Sequence, residues 1–327
     1  MRPFIKCAIG PLLAMGVMPI AALAQSITAP FPAKPIRAIS QFGSGASGDL
    51  ATRIVTGPLG DALGQPVVVE NRPGATGLVA AEPVARAAPD GYTLLISSPS
   101  QMVRWAAGIR TSVDPIRDFT PITPIGDNPT AIFINASLPF NNLKDLLDYA
   151  KANPGKLSYG TSGVGSKSHL AAESMQQLTG VRMVHVPYKI GNQALLDVIA
   201  GQLPVSFSIS DLGMQHLKTG KIKALAVLGD RSTEVPGVPS VTETVSAFVA
   251  PPSWVGFSGP ANLPAPVLRR LSEAAIKAIR TPEATAKLHQ IGYDIWAYTP
   301  EEFAAMVKRD FELVSRIIKS SSIRIED

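Results

Sequence analysis

The chain has 327 residues, with 30 Lys and Arg against 25 Asp and Glu, a formal charge of +5. The positive excess is mild and scattered, without the concentrated basic stripe that a nucleic-acid partner needs. With one cysteine in the whole chain no internal disulfide framework can form, and the length suits two domains rather than one.

Arg2 and Lys6 precede an apolar run from Cys7 to Leu23. That run is short for a membrane span of about 20 residues, and Gly10, Pro11, Gly16 and Pro19 interrupt it. Ala22-Leu23-Ala24 then supplies the small-x-small pattern of a cleavage site, so residues 1–24 read as an export signal, with Gln25 the first mature residue. A lipoprotein would carry its cysteine after the apolar run, whereas Cys7 stands before it. Cleavage removes Cys7, and with it any thiolate metal site or cysteine nucleophile.

Further along, short β-branched or apolar runs predict strands at 36–40, 67–70, 93–97, 132–135, 184–187, 205–209, 224–228 and 254–258. Amphipathic stretches lie between them. Asp49 to Leu63 reads as a helix, although Pro58, following Gly57, removes a backbone donor and predicts a kink or split. Leu143, Leu146, Leu147 and Ala150 share one helical face, and Asn153-Pro154-Gly155 ends that helix. Leu170, Met175 and Leu178 line another, closed by Gly180. Near the end, Thr299-Pro300-Glu301-Glu302 is a capping box with proline at the first helical position; it opens a helix that turns Phe303, Met306, Val307, Phe311 and Val314 inward. Strands alternating with helices imply an α/β fold of mostly parallel sheets flanked by helices. Ligands of such sheets sit beyond the carboxyl ends of strands, where loops enter helices.

Two of those loops are rich in glycine and serine. One is Gln41-Phe42-Gly43-Ser44-Gly45-Ala46-Ser47-Gly48-Asp49; the other is Tyr159-Gly160-Thr161-Ser162-Gly163-Val164-Gly165-Ser166-Lys167-Ser168-His169. Small residues let a ligand approach the backbone, and the following helix offers unpaired N–H groups, which together can hold a carboxylate without an arginine. The second loop falls short of a nucleotide-binding P-loop because Ser166 separates Gly165 from Lys167. Ser166, Ser168 and His169 are close in sequence, but neighbours on a helix point in different directions, and the Gly-x-Ser-x-Gly elbow of hydrolases is absent. His169 and Glu173 lie one helical turn apart, yet the four histidines (His169, His185, His216, His289) form no paired metal-binding motif. The residues therefore point to a non-enzymatic binding protein without metal or cofactor.

Several segments are more particular than generic α/β sequence. They are Leu63-Gly64-Gln65-Pro66-Val67-Val68-Val69-Glu70-Asn71-Arg72-Pro73-Gly74-Ala75, Ala85-Arg86-Ala87-Ala88-Pro89-Asp90-Gly91-Tyr92-Thr93-Leu94-Leu95, Lys151-Ala152-Asn153-Pro154-Gly155-Lys156-Leu157-Ser158-Tyr159-Gly160, Val184-His185-Val186-Pro187-Tyr188-Lys189 and Thr299-Pro300-Glu301-Glu302-Phe303-Ala304-Ala305. Together, and in this order, they resemble the Bug family, the extracytoplasmic solute receptors of tripartite tricarboxylate transporters. The resemblance implies a two-lobed periplasmic binding protein (type II-like) with two crossing hinge segments, closing on its ligand by hinge motion. The implied lobes are residues 25–126 plus 251–327, and residues 127–250. The implied ligand is a small organic acid, and the implied partners are the membrane subunits of a tripartite transporter; a monomer is the family expectation. A receptor that presents its ligand to a periplasmic sensor kinase is the alternative, and a hydrolase the remote one.

Carried over by resemblance, the first contact loop comprises Phe42, Gly43, Ser44, Gly45, Ala46, Ser47 and Asp49, with Arg53 also matching. It departs from the family pattern at Gly43, Ser44, Ala46 and Gly48. The second loop contributes Thr161, Ser162, Gly163, Gly165, Ser166, Ser168 and His169, and a third contributes Ser97, Ser98 and Ser100 around an unusual Pro99. The family's Asn-Pro after that loop is replaced by Trp105-Ala106, and Ile190 replaces the glycine after Tyr188-Lys189. Ser208 stands where the family often has an aspartate that faces a ligand amine. A hydroxyl cannot supply that charge pairing, so a ligand without an ammonium group, bulkier or aromatic, is expected.

Overall fold

Short strands and amphipathic helices alternate through the sequence, and the computed structural model gathers the strands into two separate sheets. It describes residues 31–188, 192–230 and 235–320, with the side chains of 211 and 212 left aside. The expected export signal lies outside the described residues. Strands β1 (Ile36–Ser40), β2 (Val67–Asn71), β3 (Thr93–Ser97) and β4 (Phe119–Asp127) lie in the first sheet. The second sheet holds β5 (Thr130–Asn135), β6 (Ser158–Thr161), β7 (Val184–Pro187), β8 (Val205–Ile209) and β9 (Ile222–Val227), in the order β7-β6-β8-β5-β9. The chain then returns to the first sheet with β10 (Val255–Pro260) and β11 (Asp294–Ile295), giving the order β11-β4-β10-β3-β1-β2. It therefore passes between the sheets twice, at residues 128–129 and again between β9 and β10.

The sheets are mixed rather than mostly parallel. β1 runs parallel to β2 and β3, but β10 is antiparallel to both β3 and β4, and β11 to β4. In the second sheet β6 is parallel to β7 and β8, whereas β5 is antiparallel to β8 and β9. The reason lies in the chain path. β5 and β10 enter their sheets from the other sheet, not through the helical crossover that parallel neighbours require. Two further strands escape the hydrophobic pattern. β4 carries Pro121 and Pro124, which sit at register shifts against β10, where a missing N–H is tolerated. β6 contains Gly160, whose bare Cα lets Leu203 and Ala194 approach to where a Cβ would clash, at 2.6 and 2.7 Å.

The helices are α1 (Ser47–Leu63), α2 (Leu78–Ala85), α3 (Ser100–Ala106), α4 (Leu143–Ala152), α5 (Lys167–Thr179), α6 (Gln193–Ile199), α7 (Ser210–Leu217), α8 (Ala265–Ile279), α9 (Pro282–Gln290) and α10 (Pro300–Ser320). Pro58 does not split α1. The buried stripe Ala51, Val55, Leu59 and Leu63 continues past it, and packing of that face against the core outweighs one lost hydrogen bond. On α5, Leu170 and Met175 are buried, but Leu178, in the last turn of the helix, is 45% exposed. The expected face of α4 is fully buried, and Gly180 closes α5 in the left-handed conformation.

The capping box of α10 forms as expected. The Thr299 N–H donates to Glu302 Oε2 at 2.8 Å, and the Glu302 N–H to Thr299 Oγ1 at 3.3 Å. This helix then reaches elements of both sheets. Phe303, Met306 and Val307 pack with Met102 and Trp254, and two turns further Val314, Ile317 and Ile318 pack with Val103 of α3 and Leu170 of α5. From Phe31 onward the chain forms one compact unit. Among the described residues no helix is long and apolar enough to cross a membrane.

Candidate functional site

Three strand-to-helix loops and both passages between the sheets open onto one cavity of about 280 Å³. That is near the lower end of the range for small-molecule sites. Each wall is fixed by bonds its own sequence provides.

In the first loop, Gly45 takes a φ of +78°, which brings its N–H to Asp49 Oδ2 at 2.9 Å. Arg53 Nε donates to the same oxygen at 3.0 Å, and Asn71 Nδ2 to Oδ1 at 2.6 Å. Burial alone would raise the Asp49 pKa, but these hydrogen bonds from Arg53, Asn71 and Gly45 outweigh it and hold the carboxyl below its usual range. Asp49 thus clamps the loop instead of facing the cavity. Phe42 does face it, with its ring against Gly48 where an added Cβ would stand 2.7 Å away. A larger side chain at position 48 would displace that ring. In the third loop Gln41 donates to both Ser98 and Ser100 and accepts from Gln101 at 2.9 Å, so the two serines are oriented at the cavity wall.

The second loop ends in an N-cap: Ser166 Oγ accepts from the His169 N–H at 3.2 Å. The Gly165 N–H donates to His169 Nδ1 at 3.1 Å, and His169 stacks on His185 with ring centroids 3.9 Å apart. His185 Nε2 bonds Thr161 Oγ1 at 2.7 Å. Nearby, Tyr159 Oη donates to Glu173 at 2.7 Å. The loop therefore rests on a stacked pair of neutral rings, His169 buried and His185 half-buried. Burial pushes the His169 pKa down to about 4, and burial together with the charge of His169 does the same to His185.

This has a measurable consequence. Between the ordinary histidine pKa and about 4, the unfolded chain binds protons that the native histidines refuse, so stability is complete above about pH 6.5 and falls as the pH drops toward 4. Asp310 acts in the opposite sense: burial raises it to about 6, against the hydrogen bond from Trp254, so it adds stability over the same acid range. Two histidines outweigh one carboxyl. We expect a net loss of a few kcal/mol between pH 7 and pH 4.5, on the order of the linked shifts, read as a falling thermal midpoint. Asp310→Asn should steepen the fall.

The end of β4 and the start of α5 supply the charged groups, with Asn128 of the passage between the sheets beside them. Asp127 ends β4, and its Oδ2 accepts from Lys167 Nζ, at the start of α5, at 2.7 Å; the two side chains are only 17% and 16% exposed. Asn128 Nδ2 donates to Ser47 Oγ at 2.9 Å and to the Ile291 carbonyl at 3.1 Å. Ser47 Oγ also reaches Tyr293 Oη at 3.3 Å. On the return passage Trp254 donates from its indole to Asp310 at 2.8 Å. All of Asp127, Asn128, Lys167, Trp254 and Tyr293 line the cavity, and Asp127 and Lys167 are the charged side chains among its lining residues.

Of the residues the sequence singled out, Phe42, Ser47, Ser98, Ser100, Ser162, Gly165, Ser166 and Ser168 line this cavity together. Gly43 to Ala46 form the loop turn beside it, with Ser44, Gly45 and Ala46 exposed. Ser97 ties β3 to β10 through Ser258 Oγ at 3.2 Å and the Gly256 carbonyl at 3.3 Å. Thr161, Gly163 and His169 shape the second loop from behind. Tyr188 donates to Asp197 at 2.7 Å, and burial pushes its phenol up to about 12. Ser208 is buried in β8, its hydroxyl without a hydrogen-bond partner among the described residues, and it is not part of the cavity lining.

Sequence reasoning missed Asp127, Asn128 and Lys167. The signal for the first two was the Asp-Asn-Pro turn between hydrophobic runs. At Lys167 the sequence shows only a near miss to a phosphate-binding lysine. With α1 and α5 both presenting their first turns, and Lys167 between serines 166 and 168, the arrangement can hold a carboxylate through backbone amides, hydroxyls and one ammonium.

A family model described as "Tripartite tricarboxylate transporter family receptor" matches residues 51–323. A UPF0065 protein of Bordetella pertussis is 33% identical over 295 residues, covering 90% of this chain and 91% of that protein. Among solved structures, MatC from Rhodopseudomonas palustris with bound malate superposes with a TM-score of 0.75 at 26% identity, covering 88% of this chain and 100% of that one. A second R. palustris protein, with adipate, gives 0.78 at 29% identity, covering 90% and 99%.

Proposed function

Since this chain belongs to the family of tripartite tricarboxylate transporter receptors, solute-binding proteins and not enzymes, we propose that it captures a small carboxylic acid in the cavity between its two sheets. The observation that carries this reading is the meeting, in one cavity, of Lys167, the first turns of α1 and α5 and the hydroxyls of Ser47, Ser98, Ser162, Ser166 and Ser168. Such a set favours an anion without needing an arginine clamp. Malate and adipate in the two structural relatives support the ligand class.

In the same proposal, residues 25–126 plus 251–327 form one lobe and residues 127–250 the other. They separate about the two passages between sheets to admit the acid, and the closed form is handed to the membrane subunits of a tripartite transporter. The setting is periplasmic, reached through the signal at residues 1–24.

A thermal-shift screen of residues 25–327 against dicarboxylates, citrate, amino acids, nicotinate and benzoate-type acids tests the ligand class. An acid at a hundred times its dissociation constant should stabilise the protein by about 2.7 kcal/mol. One chemical group of hits is the expected result. A flat response to every acid would overturn the reading.

A further inference from the structure

Two acceptor oxygens in the cavity wall have no donor. Asn128 is 9% exposed, and its amide orientation is fixed, because the Ile291 carbonyl can only accept and so must face Nδ2. Oδ1 is thereby turned the other way, buried and without a hydrogen-bond partner among the described residues. Asp127 gives Oδ2 to Lys167, and its Oδ1 is likewise buried and unpartnered. Leaving two such acceptors unpaired in one place is costly and uncommon in a folded protein. Both residues line the proposed ligand cavity.

Lys167 completes the pattern from the other side. Its ammonium has three N–H groups, and one goes to Asp127, which leaves two for a ligand carboxylate. A cation with donors to spare therefore stands directly beside acceptors in want of donors. The complementary ligand has the same two features side by side, with the polarity reversed. The lining's formal charge is balanced between Asp127 and Lys167, which suits a small acid whose own negative charge is accompanied by a polar donor.

We propose that the ligand carries a hydroxyl or ammonium group on the carbon next to its carboxylate, and that Asp127 and Asn128 are the residues that read it. The inference rests on the carboxylate-receptor reading above. It reverses the expectation drawn from Ser208: that residue lies outside the cavity lining, whereas the unpaired acceptors of Asp127 and Asn128 belong to residues that line it.

Calorimetric titration with matched acids tests it: malate and aspartate each against succinate, and lactate and alanine each against propionate. In at least one pair the donor-bearing acid should bind about tenfold tighter or more, the value of a hydrogen bond to a charged or buried acceptor. Whether the hydroxy or the amino member wins tells which donor is read. Asp127→Ala, which removes Oδ1 altogether, should shrink that ratio to about threefold or less. Equal or tighter binding of the plain acid in every pair overturns the inference and leaves the receptor reading intact. A preference undiminished in Asp127→Ala overturns the assignment to Asp127. Binding of no acid at all overturns the receptor reading and this inference with it. Should the variant fail to fold, the pairs measured on the unaltered protein still decide.

Discussion

Lys167→Met should weaken binding of every small acid that the protein takes by about ten- to a hundredfold, the worth of a charge-assisted hydrogen bond in a partly buried site. Methionine keeps the stem of the side chain and removes the ammonium, so the loss reports charge and not packing. Stability should fall too, by about 1 kcal/mol, because the Asp127 carboxylate is left without its partner in a position only 17% exposed. The two effects separate in the double variant Asp127→Asn/Lys167→Met. Neutralising the stranded carboxylate should restore most of the stability while acid binding stays weak, and a double-mutant cycle in urea and by calorimetry reads both. Unchanged affinity in Lys167→Met would show that the ammonium is tied up in the ion pair and takes no part in holding the acid.

Gly126→Ala should cost about 3 kcal/mol through steric overlap alone. An ideal Cβ at Gly126 would stand 2.0 Å from the Asp294 carbonyl oxygen and 3.2 Å from Ile295 Cα. Both neighbours belong to β11, which pairs with β4 at this point, so the strands must part. Backbone cannot swing aside as a side chain can. Because Asp127 is the next residue, parting the strands also moves the carboxylate that holds Lys167, and acid affinity should drop with stability. Gly43→Ala is the control: nothing lies within 4 Å of a Cβ there, and the change should stay within about 0.5 kcal/mol by urea unfolding. A Gly126→Ala protein as stable as the control would mean that β11 is free to leave the sheet edge.

Some of this protein was legible residue by residue. β1, β3, β7 and β8 fall where their β-branched runs predict, because a strand of four or five residues is specified by its own side chains. The capping box of α10 and the glycine stop of α5 are equally local, each made by residues within four positions of one another. β4 was hidden by its prolines, which become tolerable because β4 itself bulges beside them, where its register against β10 shifts. Pro58 reads as a break for a similar reason: the burial that carries α1 past it belongs to the core and not to the helix sequence.

The division of the site follows the same line. Sequence alone supplied the serine and glycine loops, since small residues before a helix are a local pattern with a local physical meaning. It also supplied the resemblance to a receptor family and, through it, the class of function. Only the tertiary structure decided which of those residues meet. Asp49, Ser97 and His169 spend their polar groups on holding loops and strands, whereas Asp127, Asn128 and Lys167 are brought together from β4, the passage after it and α5. Forty positions separate Asp127 from Lys167 in the chain, and 2.7 Å separates their charged atoms in the fold. No periodicity or motif encodes that distance, because it is set by how the fold brings the end of β4 to the start of α5 and not by either loop.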